Sequence, residues 1–308
     1  MTASSLEPAG FSRPDRPRRA QHGTTNQVFI DRQRGTVTKV FTPPADDVHW
    51  RSQDREVSAL RLPGLGPLVP RLLTVDSSRM TTALLEATPL PELIASSDDD
   101  STTRCRLAAS TGTALRRIHG VRAGHVTALA WAEGGSQPWW DVFWARLRKT
   151  AARVCELDGE LRPFVHPALD ALERRLPLSC PPRLGLLHGD YGGANLLIRR
   201  GDVASPEAVV VDWEWAAIGD VDYDLCRIEW LILVGRDARH WAGPRARAAF
   251  YDAYGGDFTD DDASSRKIAC YGGLMALGDL VRQLTEHSPA DRRIITWLTS
   301  ISRMHPIG

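Results

Sequence analysis

The segment Leu186–Ile198, LLHGDYGGANLLI, places an aspartate, three glycines and an asparagine between two apolar runs. Apolar runs of that length around a glycine-rich centre read as strand, turn and strand. On the plain reading, Asp190 and Asn195 are turn residues. On the sharper one, both side-chain oxygens face a metal-bound phosphate. A carboxylate and an amide on one tight loop are the donors that a hard divalent cation and an attacking hydroxyl require. The rest of the chain has to decide between them.

Downstream, AVVVDWEWA (208–216) is an apolar run ended by charges, which reads as a buried strand with Asp212 at its end. If this strand and the one after Asn195 form a hairpin, the three oxygen-bearing side chains converge. Upstream, QVFIDRQRGTVTKVF (27–41) alternates and is rich in β-branched and aromatic residues, with a polar turn at Arg34–Gly35; it reads as a hairpin. HWRSQDREVSALRL (49–62) has helical spacing at Val57, Leu60 and Leu62 and stops at Pro63–Gly64. PLVPRLLTVD and RMTTALLEA read as two more strands. Residues 21–88 therefore form a small antiparallel sheet with one helix, and residues 89–308 a larger, mostly helical part. Its helices are expected in TTRCRLAASTGTALRRIHG, PWWDVFWARLRKTAARVCEL, DLCRIEWLILVG, RARAAFYDAYGG and KIACYGGLMALGDLVRQLTEH. The aromatic residues of the second are read as core, because helical spacing alone predicts their burial.

Composition narrows the function classes. The chain has 308 residues, 43% hydrophobic and 25% charged, as ordinary globular proteins do. Lys+Arg and Asp+Glu both number 38, so no global positive field recruits nucleic acid or an anionic membrane. No apolar window reaches the roughly 18 residues of a membrane span. Five cysteines lie far apart without a CxxC, which suits reduced thiols in a cytoplasmic protein. Residues 1–20, rich in Pro, Arg and Ser and without a signal-peptide core, are expected to form a flexible arm. The chain is expected to act as a monomer or homodimer.

HGDYGGAN, an Asp seventeen residues after Asn195, and then GDVDYDLCRI together resemble the aminoglycoside phosphotransferase family, whose relatives include choline, thiamine and homoserine kinases. The resemblance implies an α+β, bilobal protein-kinase-like fold, with a small antiparallel-sheet N-lobe and a larger, mostly helical C-lobe. It implies ATP, or GTP in its place, together with Mg2+. Asp190 would be the catalytic base, Asn195 a metal ligand and Asp212 the principal magnesium ligand. Trp213–Glu214 stands where kinases have Phe-Gly, which leaves the role of Glu214 open. His188 would be structural, bonding nearby backbone. Gly23, Thr24, Thr25 and Asn26 stand where the family covers the nucleotide phosphates. Lys39 would hold the phosphates, with Glu56 on the following helix as its ion-pair partner. Backbone of Glu86 and Thr88 would meet the adenine. Asp224 looks like a helix N-cap and a scaffold for the catalytic loop.

The implied activity is an ATP-dependent O-phosphotransferase acting on a small basic antibiotic, an aminoglycoside or a related basic peptide antibiotic, and giving resistance. The alternative is a metabolic kinase for choline, thiamine, a sugar or an amino alcohol. Glu214, Asp222, Glu229, Asp252, Asp257 and Asp260–Asp262 are candidate carboxylates for a cationic acceptor. Trp213, Trp215, Trp230 and Trp241 are candidate stacking or cation–π surfaces. A catalytically dead scaffold would be expected to lack at least one of Lys39, Asp190, Asn195 and Asp212, and all four are present.

Overall fold

The computed structural model describes residues 18–19, 26–42, 51–96, 100–122, 129–130, 138–175, 181–201, 205–233, 243–256 and 262–303. Gly23, Thr24, Thr25, Asp257, Asp260, Asp261 and Trp241 lie outside them. Of residues 1–20, only Arg18–Arg19 is described, as a two-residue strand (β1).

The expected hairpin forms as β2 (Gln27–Asp31) and β3 (Thr36–Val40), turning through residues 32–35. After α1 (Gln53–Leu60) come β4 (Leu72–Val75) and β5 (Arg79–Ala83). They make an antiparallel five-stranded sheet in the order β1-β2-β3-β5-β4. Lys39 lies on central β3, opposite Val28 on one side and Met80 on the other. α1 begins cleanly because the Ser52 hydroxyl accepts the Arg55 N–H at 3.2 Å and Asp54 and Glu56 sit in its positive first turn. The Ser52 N–H donates to the Glu214 carbonyl at 2.9 Å, which ties this helix to the segment after Asp212.

β6 (Ala87–Pro89) leaves that sheet and pairs with β8 (Leu196–Arg199), which pairs on its other side with β9 (Ala208–Val210). β7 (Leu184–Leu187) pairs with β10 (Ala217–Asp220). The two apolar runs of the Leu186–Ile198 segment therefore do not pair with each other; each finds a partner elsewhere, and the loop between them bridges two separate ribbons. The hairpin that sequence required is β8–β9, which sets Asn195 just before one strand and Asp212 just after the other.

The rest of the described residues are largely helical. α2 (Leu90–Ser96), α3 (Ser101–His119), α4 (Trp139–Leu157), α5 (Arg162–Arg175), α6 (Asp222–Leu233), α7 (Pro244–Tyr254), α8 (Asp262–Thr285) and α9 (Arg292–Arg303) complete the chain. α3 packs on α7, α8 on α4 and α6, and α5 on α9. Gly112 lets α3 approach α7 closely, since a β-carbon there would lie 2.2 Å from the Phe250 carbonyl. Trp140, Phe143 and Tyr271 pack ring on ring between α4 and α8, with Trp140 stacked on Tyr271 at 5.7 Å, so the aromatic run of α4 is core as its spacing predicts. Cys105, Cys155, Cys226 and Cys270 are free thiols. Among the described residues no helix is long and apolar enough to cross a membrane.

Candidate active site

Two clusters are joined by the β8–β9 hairpin. The first surrounds Lys39. Its ammonium donates to Glu56 Oε2 at 2.7 Å, contacts Asp212 Oδ1 directly, and lies 3.5 Å from Glu214 Oε2. Lys39, Glu56 and Glu214 are each less than a tenth exposed, whereas the Asp212 side chain is 39% exposed. Burial alone would lower the Lys39 pKa, but the carboxylates of Glu56, Asp212 and Glu214 raise it above its ordinary value and keep it charged. With three carboxylates sharing one ammonium, burial pushes Glu56 up to about 7 against the opposing pull of Lys39. Burial raises Glu214 too, again opposed by Lys39.

Glu214, whose role sequence left open, is a connector. It accepts from Asn26 Nδ2 and lies 3.6 Å from Arg51 Nη1. Asn26 in turn accepts the Thr42 N–H at 2.9 Å through its Oδ1. The entry to β2, where the nucleotide-covering turn was expected, is thus pinned to the segment that carries Asp212. Asp212 itself has φ +66°, a left-handed conformation uncommon for a residue with a β-carbon, held here by the β9 strand before it and its contact with Lys39.

The second cluster surrounds Asp190. His188 Nε2 lies 3.0 Å from the Val211 carbonyl, which can only accept, so that nitrogen carries the proton. The bare Nδ1 accepts the Asp190 N–H at 3.2 Å. His188 is structural, as expected, and it locks the Asp190 loop to the residue before Asp212. Asn195 Nδ2 donates to the Asp190 carbonyl and to Asp190 Oδ2, each at 3.0 Å. Its amide oxygen is left as the atom that can face a cation. The Asn195 carbonyl accepts the Val211 N–H at 3.0 Å, which holds Asn195 and Asp212 at the same end of the hairpin.

Asp224 is fully buried and accepts the His188 N–H at 2.7 Å and the Gly189 N–H at 2.9 Å, with His119 Nε2 at 3.3 Å. It is the scaffold that sequence suggested, but it sits inside the first turn of α6, not at its cap. Gly189 has φ +81°, and a β-carbon there would lie 2.4 Å from the Trp215 carbonyl, so glycine is required. Arg227, one helical turn beyond Asp224, donates to Asp190 Oδ1 from Nη2 at 2.7 Å and from Nε at 3.1 Å. The sequence reading missed it; its only signal was three-residue spacing from Asp224 on the same helix face.

Several of the acids and tryptophans considered for the acceptor already have partners within the fold. Glu214 is committed to Lys39, Asn26 and Arg51. Asp222 pairs with Arg183 and Lys267, and Glu229 with Arg247 and the Tyr251 hydroxyl. Trp213 is fully buried, its indole N–H on the Val210 carbonyl at 2.9 Å and its ring 4.7 Å from His188. Trp230 is buried against Trp297 and donates to Asp279 at 3.1 Å. These indoles are core, not ligand surfaces. Around β6, the Glu86 carbonyl accepts the Arg200 N–H at 2.8 Å, and Thr88 stands opposite Ile198 in the β6–β8 pair.

A lysine on a small antiparallel sheet paired with a glutamate on the neighbouring helix, set against an aspartate–asparagine–aspartate group at the ends of the β8–β9 hairpin and of β7, defines a protein-kinase-like phosphotransferase. The chain matches the phosphotransferase enzyme family (APH) over residues 17–266 and belongs to it. No curated protein sequence matches significantly. Among solved structures, a thermostable aminoglycoside phosphotransferase APH(4)-Ia in ternary complex with AMP-PNP and hygromycin B is 17% identical, with TM-score 0.63 over 93% of this chain and 92% of its own. A GDP complex of a variant aminoglycoside 2'-phosphotransferase is also 17% identical, with TM-score 0.61 over 94% and 91%. A choline/ethanolamine kinase family protein from Mesorhizobium loti is 18% identical, with TM-score 0.55 over 94% and 89%. At these identities the likeness establishes the fold.

Proposed function

We propose that the protein transfers the γ-phosphoryl group of ATP, bound with Mg2+, to a hydroxyl of a small molecule. The observation that carries this reading is the convergence of Lys39, Asp212, Asn195 and Asp190 through the β8–β9 hairpin. AMP-PNP and GDP in the related structures support a purine nucleoside triphosphate as donor, with GTP the alternative to ATP. We assign the phosphates to residues 23–26 and Lys39, and the adenine to the backbone of Glu86 and Thr88.

An amide oxygen and a carboxylate at one strand end fit a hard cation that keeps several waters, so Asn195 and Asp212 would hold Mg2+. When bound, such a cation neutralises phosphate charge. Glu56 fixes the Lys39 ammonium for the phosphates. Asn195 fixes Asp190, which orients the acceptor hydroxyl and takes its proton as the new O–P bond forms and the bond to the β–γ bridging oxygen breaks, releasing ADP. A cytoplasmic location suits the free thiols.

For the acceptor, we place a hydroxyl-bearing antibiotic first, with resistance as the outcome; the hygromycin B complex among the similar structures supports it. The choline/ethanolamine kinase likeness supports a metabolic amino alcohol as the second reading. Glu214, Asp222 and Glu229, three of the acids expected to attract a cationic drug, are engaged in internal pairs, so the proposal rests on the hydroxyl and not on acceptor charge. ADP release against panels of antibiotics and metabolic alcohols, with drug susceptibility of a host expressing the chain, tests it. Turnover and growth protection with an antibiotic are expected; turnover confined to choline or ethanolamine would overturn the antibiotic reading.

A further inference from the structure

Arg55 directly precedes Glu56 on α1, and successive side chains leave a helix about 100° apart. Glu56 turns to the Lys39 ammonium at 2.7 Å. The half-buried Arg55 reaches the C-terminal part of the chain instead: Nη1 donates to the Ala216 carbonyl and Nη2 to the Ala130 carbonyl, each at 2.8 Å. One planar guanidinium thus spans two backbone segments. Among the described residues its side-chain hydrogen bonds go to those two carbonyls and to no carboxylate.

Both carbonyls belong to the surroundings of one strand. Ala216 immediately precedes β10, and Ala130 forms a parallel bridge with Ile218 within it. β10 pairs with β7, and β7 runs into the loop that carries Asp190. Ala216 also closes a turn that starts directly after Asp212, its N–H donating to the Trp213 carbonyl at 2.9 Å. The Trp215 carbonyl in that turn packs against Gly189, the residue before Asp190. Arg55 therefore ties α1 to a stretch of backbone that joins Asp212 to the Asp190 loop. The other ties of this helix end, the Ser52 N–H on the Glu214 carbonyl and Arg51 at 3.6 Å from the Glu214 carboxylate, both run to Glu214. Because it binds carbonyls, Arg55 fixes the helix without adding a fourth acid to the three around Lys39.

We infer that Arg55 is a positioning residue for phosphate binding: by tying α1 to Ala216 and Ala130 it sets the place of Glu56, and through Glu56 the place of the Lys39 ammonium beside Asp212. This deepens the phosphotransferase reading and rests on it. A guanidinium suits the task because its rigid fork reaches two acceptors at once and is weakly enough hydrated to be half-buried. A lysine at the same position has a single nitrogen to offer and cannot span both carbonyls from two separate atoms.

The test is a double-mutant cycle on the full-length chain, read as Mg·ATP affinity by fluorescent-nucleotide titration at pH 8, where Glu56 is ionised. Arg55→Met keeps a long side chain and removes every donor. It should weaken Mg·ATP binding by about tenfold when Glu56 is present and by less than about twofold in the Glu56→Gln background, where Lys39 is already loosened. Arg55→Lys should lose about threefold, again only with Glu56 present, and it carries the same test should Arg55→Met fail to fold. A contact that merely stabilised the fold would lower Tm in every background and leave the affinity of the folded fraction unchanged. Wild-type affinity in both Arg55 variants would overturn the inference, as would a loss of equal size with and without the Glu56 carboxylate. A wild-type chain that binds no Mg·ATP overturns the phosphotransferase reading itself, a result distinct from a nucleotide-binding protein indifferent to Arg55.

Discussion

Lys39 and Asp212, 173 positions apart in the chain, are in direct contact through Nζ and Oδ1. The contact joins the N-terminal sheet to the end of β9, and Glu56 at 2.7 Å and Glu214 at 3.5 Å complete a cage of three carboxylates on one ammonium. Above about pH 7, where Glu56 is ionised, the cluster carries more negative than positive groups even with Arg51 beside Glu214. A surplus of carboxylate around an exposed Asp212 is an attractive field for a divalent cation carrying phosphate. Asp212→Asn should therefore lose Mg2+-dependent nucleotide binding while folding normally. Fluorescent-nucleotide titration with and without Mg2+ checks this, and normal Mg·ATP affinity would move the metal site elsewhere.

Asp190 is held by Arg227, Asn195 and His188 but does not touch the Lys39 cage. Asp190→Ala should keep ATP affinity and lower kcat by about 100-fold or more, the usual scale for a group that orients and deprotonates an acceptor. ADP release at saturating nucleotide measures it. Undiminished turnover would place the base elsewhere.

The cage also sets a pH dependence of stability. Glu56 holds its proton up to about pH 7 in the folded protein, against 4.5 ordinarily. Between those values the native state binds more protons than the unfolded chain, so its stability falls as pH rises through the window. Lys39, raised above its ordinary value, remains charged throughout and adds no slope there, while Glu214, raised by burial, adds in the same sense as Glu56. Glu56→Gln should flatten the dependence of Tm on pH across this range. Thermal unfolding at several pH values decides it, and an unaltered slope would count against Glu56.

What sequence made legible has a physical pattern. The β2–β3 hairpin, α1, α3, α4 and the Asp190–Asn195–Asp212 group were readable because each is encoded locally, by alternation, helical spacing or a compact polar motif. α5 and α9 were not read. α5 carries an internal proline, Pro167, and α9 buries only Ile294, Leu298 and Ile301 between polar residues, a stripe that becomes decisive only once α5 is there to cover it. The pairing of β7 with β10 and of β8 with β6 was equally hidden, since β-partners across such separations leave no local trace. Charges misled in the other direction. Glu214, Asp222 and Glu229 look in sequence like solvent-facing acids, and only folding reveals the arginines and lysines that claim them. Arg227 escaped notice for the same reason, because its partner Asp190 is on a loop 37 residues away.

Asp224 and Asp222, two residues apart on α6, separate support of the Asp190 loop from support of the fold. Asp224 receives two backbone N–H groups of the loop and is fully buried, so Asp224→Ala leaves His188 and Gly189 donors unpaired. Each buried N–H left without its acceptor is expected to cost about 1–3 kcal/mol. Asp224→Asn keeps the shape but presents an amide NH2 to one of those donors, so it too should destabilise and displace Asp190, lowering kcat per folded molecule. Asp222 instead faces Arg183 and Lys267, away from the loop. Asp222→Asn should lower Tm while leaving kcat of the folded fraction near wild type. Paired Tm and kcat measurements on the two variants separate the roles: equal loss of kcat in both would mean that α6 supports the site only through overall stability, and that the Asp224 bonds to the loop have no part in placing Asp190.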